Sequence, residues 1–523
     1  MTTFLSKRAS GILAHITSLP SPYGIGDIGY SAYSFLNFLH DGGQSIWQFL
    51  PTGPTNPVFD NSPYMSTSAF AGSPLLISLE LLVEKKLIDQ SALDQAPQFS
   101  EYLTDYSAVT QFKNSILQQA FTRFDQSAPD FLQFVKKTSW LRDYCLFMVL
   151  KEEYAQKGWF DWPSDLAGHQ LSALEEKEKL HAARIAYYSF EQFTFNWQWQ
   201  KLRQKAREKG IRLIGDIPIY MGWDSVDVWV NQSIFFLNST THHPTQVAGV
   251  PPDYFSKTGQ RWGNPLYRWN SDEQTIHKQL YTWWTGRFRA VFEAVDIARV
   301  DHFRGFEAYW SIPGTHKTAM NGKWVKGPGI GFFEEIYQAL GPLEIIAEDL
   351  GDITPEVIAL RKSLGFPGMK ILQFAFDGNK ENSFLPYNFT TPNNVIYTGT
   401  HDNDTTVGWY LSDKLNDSQR KAIRQICNRT LEDDNEIYKD IIHLALSSIS
   451  RLAIFPLQDI LGFGSDCKMN SPGSKKGNWS WRCAPRFLNT EISNWLHELC
   501  DQFGRIPEKM SVTTEKQGET KNA

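Results

Sequence analysis

The chain has 523 residues, 41% hydrophobic and 21% charged, with a formal net charge of −6. That is an ordinary globular composition, and its weak negative charge excludes the electrostatic footprint of a protein that binds nucleic acid or anionic membrane. The 18 Trp, 20 Tyr and 35 Phe supply core area and, through Trp, flat surfaces on which a sugar can stack.

The five cysteines (Cys145, Cys427, Cys467, Cys483, Cys500) are scattered and form no C-x-x-C pair, so neither a disulfide framework nor a zinc site is indicated. The N-terminus lacks the hydrophobic region of a signal peptide. The most apolar stretch, 441–457, is broken by His443, several serines and Arg451 and reads as a buried helix running into a strand. The expected location is the cytoplasm, with no membrane partner.

In chain order, 11–16 (G-I-L-A-H-I) reads as a first strand. Residues 31–40 have helical spacing stopped by Gly42-Gly43, and 45–50 is a second strand ending at Pro51. The long proline-rich loop after it runs through N-S-P-Y (61–64), and loops of this length usually serve function. From about 74 to 207 the pattern is mostly helical, and F-N-W-Q-W (195–199) reads as core. Strand rhythm resumes at 211–220, so the helical part is an insertion and not a separate module.

A second excursion, roughly 221–286, contains V-A-G-V-P-P-D-Y-F-S-K-T-G-Q-R-W-G-N-P-L-Y (247–267) and reads as a shaped surface loop. Within it His242-His243 are loop residues, since no partner ligand stands at helical spacing. Strands follow at 295–300, 343–347, 368–376, 394–398 and 452–455, and the chain ends in a polar tail. The expected division is 1–73 for the first two strands and a site loop, 74–207 for the helical insertion, 208–503 for the remaining strands with the 221–286 excursion, and 504–523 for the tail.

Eight strands alternating with helices predict an α/β fold, a (β/α)8 barrel with large insertions. A doubly wound open sheet is the alternative. It would want a glycine-rich phosphate turn, and neither G-x-G-x-x-G nor a P-loop is present.

Barrel chemistry gathers at the carboxyl ends of the strands. Here those ends carry Asp216, Asp301, Glu348, Asp377, His401-Asp402 and Asp459. One such acid is commonly a helix cap, and Asp301 alone is equally well read that way. Six acids around one mouth would form a ring of negative charge. Such a ring suits a divalent metal site or glycosidic chemistry, whereas a phosphate site would use glycine amides. The stretch V-D-I-A-R-V-D-H-F-R-G (295–305) places arginines beside Asp301, which argues against metal. Arg299 favours a charged, oriented carboxylate, as a nucleophile requires. Glu348 follows I-I-A, an apolar wall that raises a carboxyl toward a proton donor's range.

R-V-D-H-F-R-G, A-E-D-L-G and T-H-D-N-D, in this order on successive strands, resemble the catalytic motifs of the amylomaltases, the 4-α-glucanotransferase family. The resemblance extends through L-P-T-G-P, N-S-P-Y, G-D-I-P-I-Y, G-Q-R-W-G-N-P-L-Y and N-S-P-G-S-K-K-G-N-W-S-W-R, from about residue 12 to 482. It implies transfer of α-1,4-glucan segments from a donor to the 4-hydroxyl of glucose or another glucan, by a retaining two-step route with no metal or organic cofactor.

The same resemblance implies roles for particular residues. Asp301 would be the nucleophile and Glu348 the general acid and then base, with Asp402 binding sugar hydroxyls and distorting the ring. Arg299 would orient Asp301, His302 and His401 would bond the same sugar, Tyr64 would stack beneath it and Asp216 would bind nearby hydroxyls. Asp253, Tyr254, Phe255, Gln260 and Trp262 would belong to the covering loop, and Asp349, Asp377 and Asn470 would complete the substrate contacts. Where many family members carry G-Y-G-D-S-P-Y, this chain has N-P-V-F-D-N-S-P-Y (56–64), a longer loop without the upstream tyrosine. The alternatives are an α-1,4-glucan hydrolase and an inactive glucan-binding protein. The presence of all three carboxylates disfavours the second.

Overall fold

The computed structural model describes residues 7–252, 256–428, 436–474 and 476–506. Among the described residues twelve strands form two sheets: β1 (Ala9–Leu13), β2 (Ile46–Gln48), β3 (Arg212–Ile217), β4 (Gln246–Val250), β5 (Gln260–Pro265), β6 (Ile297–Val300), β7 (Ala308–Pro313), β8 (Lys323–Lys326), β9 (Ile345–Ala347), β10 (Gly368–Ile371), β11 (Asn394–Tyr397) and β12 (Leu452–Pro456). All eight strands expected from the sequence lie in one sheet, in the order β10-β11-β12-β1-β2-β3-β6-β9. Its pairings are parallel. The two ends meet where Ala347 N–H donates to Pro367 O at 3.0 Å, closing the sheet into a barrel. Every residue of β6 and of β12 is buried, as their near-continuous apolar sequences require of strands covered on both faces.

The polar interruption at Asp296 is structural. Its carboxylate accepts from Leu213 N–H at 3.0 Å and lies 3.2 Å from Arg203, pinning the start of β6 to β3. β3 stops at Ile217 because Pro218 has no N–H to continue the ladder. β10 stops at Ile371, sooner than its apolar sequence implies, and tightens into a 3-10 turn over Leu372–Phe374.

Between β2 and β3 the chain is helical, and its longest helix is Ala182–Glu208. Trp199 of F-N-W-Q-W is buried on it, stacked on Phe195 at 5.5 Å, with its indole donating to Ala294 O at 2.9 Å. This helix also buries Glu191, 3% exposed, whose carboxyl burial pushes up to about 7. The folded state therefore holds a proton there between the ordinary value of 4.5 and about 7, and stability is lost as pH rises through that window. Glu191→Gln should unfold at a higher temperature than the parent at pH 8. The gain is on the order of 2–3 kcal/mol from a shift of this size, and the two melting curves should converge near pH 4.5.

The second sheet is antiparallel, in the order β5-β4-β7-β8. The expected surface loop at 247–267 is thus half of a sheet. The other half, β7 and β8, occupies a stretch where the sequence signalled no strand. β8 is short and largely exposed, and it is held by Trp324 opposite Trp310, their rings 5.2 Å apart. Gly286, expected near the end of the excursion, lies inside the helix Gln274–Ala294. One glycine costs a helix about 1 kcal/mol, less than burial of Trp283, Trp284 and Phe288 on that helix contributes. His242 and His243 pack against Trp159, Trp223 and Phe160. No described helix is long and apolar enough to cross a membrane, and no disulfide joins the five cysteines. Most of the expected polar tail, from 507 onward, lies outside the described residues.

Candidate active site

Strand register builds the site. In the β3–β6 ladder Asp216 stands opposite Arg299, and in the β6–β9 ladder Val300 stands opposite Ala347. Asp301 and Glu348 therefore emerge at the same level, one residue past the carboxyl ends of adjacent strands. Arg299 and Asp301, two apart on one strand, share the inward face.

The Arg299 guanidinium is buried and binds two carboxylates through one nitrogen. Nη1 donates to Asp216 Oδ1 at 2.8 Å, Asp216 Oδ2 at 2.7 Å and Asp301 Oδ1 at 2.9 Å. Burial alone would lower its pKa, but Asp216 and Asp301 outweigh it and hold the arginine well above its ordinary value. Asp216 is pushed up by burial, opposed by Arg299. It also accepts from Tyr64 Oη at 2.8 Å, fixing that ring. Tyr64 rides on the 3-10 turn Pro63–Met65, whose cap Ser62 accepts from Tyr64 N–H. Its ring stacks on His401 at 5.2 Å.

Glu348 is held differently. Oε2 accepts from His302 N–H at 2.7 Å and Oε1 from Leu350 N–H at 2.8 Å. His302 has φ 49°, a left-handed conformation unusual outside glycine and associated with functional strain. Burial pushes the Glu348 carboxyl up and the Asp301 charge adds to it. Arg299 and the two N–H groups pull back, leaving it at about 7. The environments of the two carboxylates thus differ: Asp301 has an arginine contact, whereas Glu348 is held by two main-chain N–H groups.

Asp402 follows β11. Burial pushes it up, but His401, whose Nε2 lies 3.2 Å from Oδ2, and Asn470, whose Nδ2 donates to Oδ1 at 2.5 Å, bring it down to about 2. The imidazole of His302, next to Asp301 in sequence, is driven down to about 4 by burial and is neutral at pH 7. The edge-on ring of Trp262 lies 4.8 Å from it, with the Trp262 indole donating to Gln260 Oε1 at 3.2 Å.

The structure thus brings together Tyr64, Asp216, Arg299, Asp301, His302, Glu348, His401, Asp402 and Asn470, with Trp262 and Gln260 beside His302. It does not bring Asp349 or Asp377 to this cluster. Asp349 spends both oxygens on the barrel seam, accepting from Met369 N–H at 2.8 Å and pairing with Arg361 at 3.0 Å. Asp377 is exposed in a turn, accepting from Asn379 N–H at 2.8 Å. Asp459 is likewise a buried cap, taking Thr406 N–H at 2.6 Å and the hydroxyl of Thr398. Asp253, Tyr254 and Phe255 lie outside the described residues. Trp479, not singled out in the sequence, lies 6.0 Å from both Tyr64 and His401 with φ 60°. It stands in the N-S-P-G-S-K-K-G-N-W-S-W-R stretch, whose resemblance to the family was the signal that could have found it. Among the described residues no group of three or more His, Cys, Asp or Glu side chains is placed to hold a metal ion.

A family model described as 4-alpha-glucanotransferase matches residues 14–488. The chain is 47% identical over 511 residues to a 4-alpha-glucanotransferase of Synechocystis, covering 96% of this chain and 99% of that one. It is 43% identical to the 4-alpha-glucanotransferase of Thermus thermophilus, with 95% and 99% covered. Among solved structures, the amylomaltase from Streptococcus agalactiae in complex with acarbose superposes with a TM-score of 0.90 at 35% identity, covering 96% of this chain and 100% of that one. The chain belongs to the 4-alpha-glucanotransferase family, a family of transferase enzymes.

Proposed function

We propose that the chain carries out its family's reaction on α-1,4-glucans by a retaining double displacement at Asp301 and Glu348. Glu348 protonates the glycosidic oxygen while an Asp301 carboxylate oxygen attacks C1. The C1–O bond to the leaving chain breaks, and a β-glucosyl ester forms on Asp301. The 4-hydroxyl of an acceptor glucan then gives its proton to the Glu348 carboxylate and attacks C1. The ester bond breaks and the α-1,4 linkage re-forms.

Asp216 and Arg299 hold Asp301 in place, His401, Asp402 and Asn470 bind the sugar from the opposite wall, and Tyr64 lies against its ring. Trp262 and Gln260 sit where they help keep water from the intermediate. A plain hydrolase would use the same pair, but the family relationship favours transfer.

The observation that carries this reading is a carboxyl raised to about 7 on the strand next to an arginine-bound aspartate. Two carboxyl groups in such different surroundings divide the acid and nucleophile roles. Because the acid must be protonated in the free enzyme, kcat/KM should fall as pH rises past about 7. Asp402, at about 2, stays ionised throughout. Incubation with maltotriose on both sides of that pH, with products sized, should give glucose plus a ladder of longer maltooligosaccharides whose rate declines on the alkaline side. Steady release of reducing ends without elongated products would overturn the transfer reading.

A further inference from the structure

Arg304 stands next to last in the R-V-D-H-F-R-G stretch and has no hydrogen bond to the groups in the cluster above, though its charge bears on the His302 imidazole. It is 5% exposed and sits in the 3-10 turn Phe303–Phe306 that follows the nucleophile. Its Nη1 donates to the main-chain oxygen of Asp352 and lies 3.5 Å from that residue's Oδ2. The guanidinium lies 3.8 Å from the centre of the Trp324 ring on β8. Nε has no hydrogen-bond partner among the described residues. The Asp352 carboxylate is 71% exposed, so the dry partners of this buried cation are one carbonyl and one ring. Burial of a cation on such terms is costly unless it secures something else.

What it secures follows from position. The two N–H groups that hold Glu348 come from different segments: His302 from the turn after β6, and Leu350 from the stretch after β9. Arg304 stands two residues beyond His302, and Asp352 two residues beyond Leu350. The Arg304–Asp352 bond therefore ties the segments together just past the donors, with Trp324 backing the tie through a cation–π contact.

We propose that Arg304 is a positioning residue for the acid/base, clamping the two catalytic segments so that both N–H groups stay on Glu348. This role rests on the reading of Glu348 given above.

The charged groups facing Glu348 are Asp301 and Arg299, and the titratable groups facing Arg304 are Asp352, Glu307, the phenol of Tyr220 and the neutral His302 imidazole. Arg304 itself exerts no leading direct effect on Glu348 and acts through the clamp. Both N–H bonds favour the carboxylate form. Loosening them raises the Glu348 pKa and moves the alkaline limb upward, while misplacing the acid slows the chemistry.

The test is the pH profile of maltotriose disproportionation, with melting temperatures measured alongside, for Arg304→Met, Arg304→Lys and Trp324→Leu. Arg304→Met should lower kcat about tenfold with KM nearly unchanged. It should raise the alkaline limb by about one pH unit, the effect of weakening one charge-assisted hydrogen bond. Arg304→Lys should recover part of both, since lysine can still reach the Asp352 oxygen. Trp324→Leu, on an exposed edge strand, should shift the limb the same way by less. If Arg304→Met does not fold, the other two variants carry the test. A lowered melting temperature with an unmoved limb and unchanged kcat per folded molecule would overturn the clamp. Glu348→Gln separates the two levels: if it retains full transfer, the reading of Glu348 fails. If it is inactive and the limb is unmoved in the Arg304 and Trp324 variants, only the clamp fails.

Discussion

Asp301→Asn is expected to abolish chain elongation from maltotriose, with kcat/KM reduced on the order of 10⁵-fold, as losses of a nucleophile are in other covalent mechanisms. The amide is isosteric, and its oxygen can still accept from Arg299, so the site's shape survives. What is lost is a charged oxygen able to attack C1. Stability should change little, because Arg299 keeps both oxygens of Asp216. Product sizing and a melting curve on the same preparation read both consequences. Transfer at the parental rate would remove Asp301 from the mechanism.

Glu348→Gln should cost about 10³-fold with maltotriose, within the range seen for removal of a general acid. It should also erase the alkaline limb, since no titrating group remains at that position. The deficit depends on the leaving group. An α-maltosyl fluoride donor expels fluoride without protonation, so the first step should proceed at close to the parental rate. The second step still needs a base to take the acceptor's proton and should stall. The variant would then accumulate the maltosyl-enzyme. Equal losses with maltotriose and the fluoride would place the role of Glu348 outside proton transfer.

The barrel was legible because its strands obey one rule. Each is a short apolar run ending in a polar residue, and a strand covered on both faces reads that way whatever surrounds it. The Asp216–Arg299–Asp301–Glu348 group was legible for the same reason, since strand ends in a closed parallel barrel must converge. Strand ends alone did not separate chemistry from capping. Asp459 and Asp349 look like Asp301 in sequence, yet one caps a helix and the other latches β9 to β10.

The β7–β8 hairpin was hidden because β8 faces solvent and carries no apolar alternation, its strand character coming from the Trp310–Trp324 pair across the ladder. Trp479 approaches the site from a segment remote in sequence, and only the tertiary fold brings it to Tyr64, whereas Asn470 was named through the motif it opens and lies against Asp402. Arg304 was visible as a charge, but its partner is a main-chain oxygen, which has no signature in a sequence.

Double displacement requires that a glucan be held covalently on Asp301 between donor and acceptor. The direct measurement is rapid acid quenching of Glu348→Gln with α-maltosyl fluoride, followed by peptide mass mapping. A maltosyl adduct is predicted on the peptide containing Asp301, lost when Asp301→Asn is added. An adduct on Asp216 or Asp402, or turnover with no adduct at any carboxylate, would contradict it.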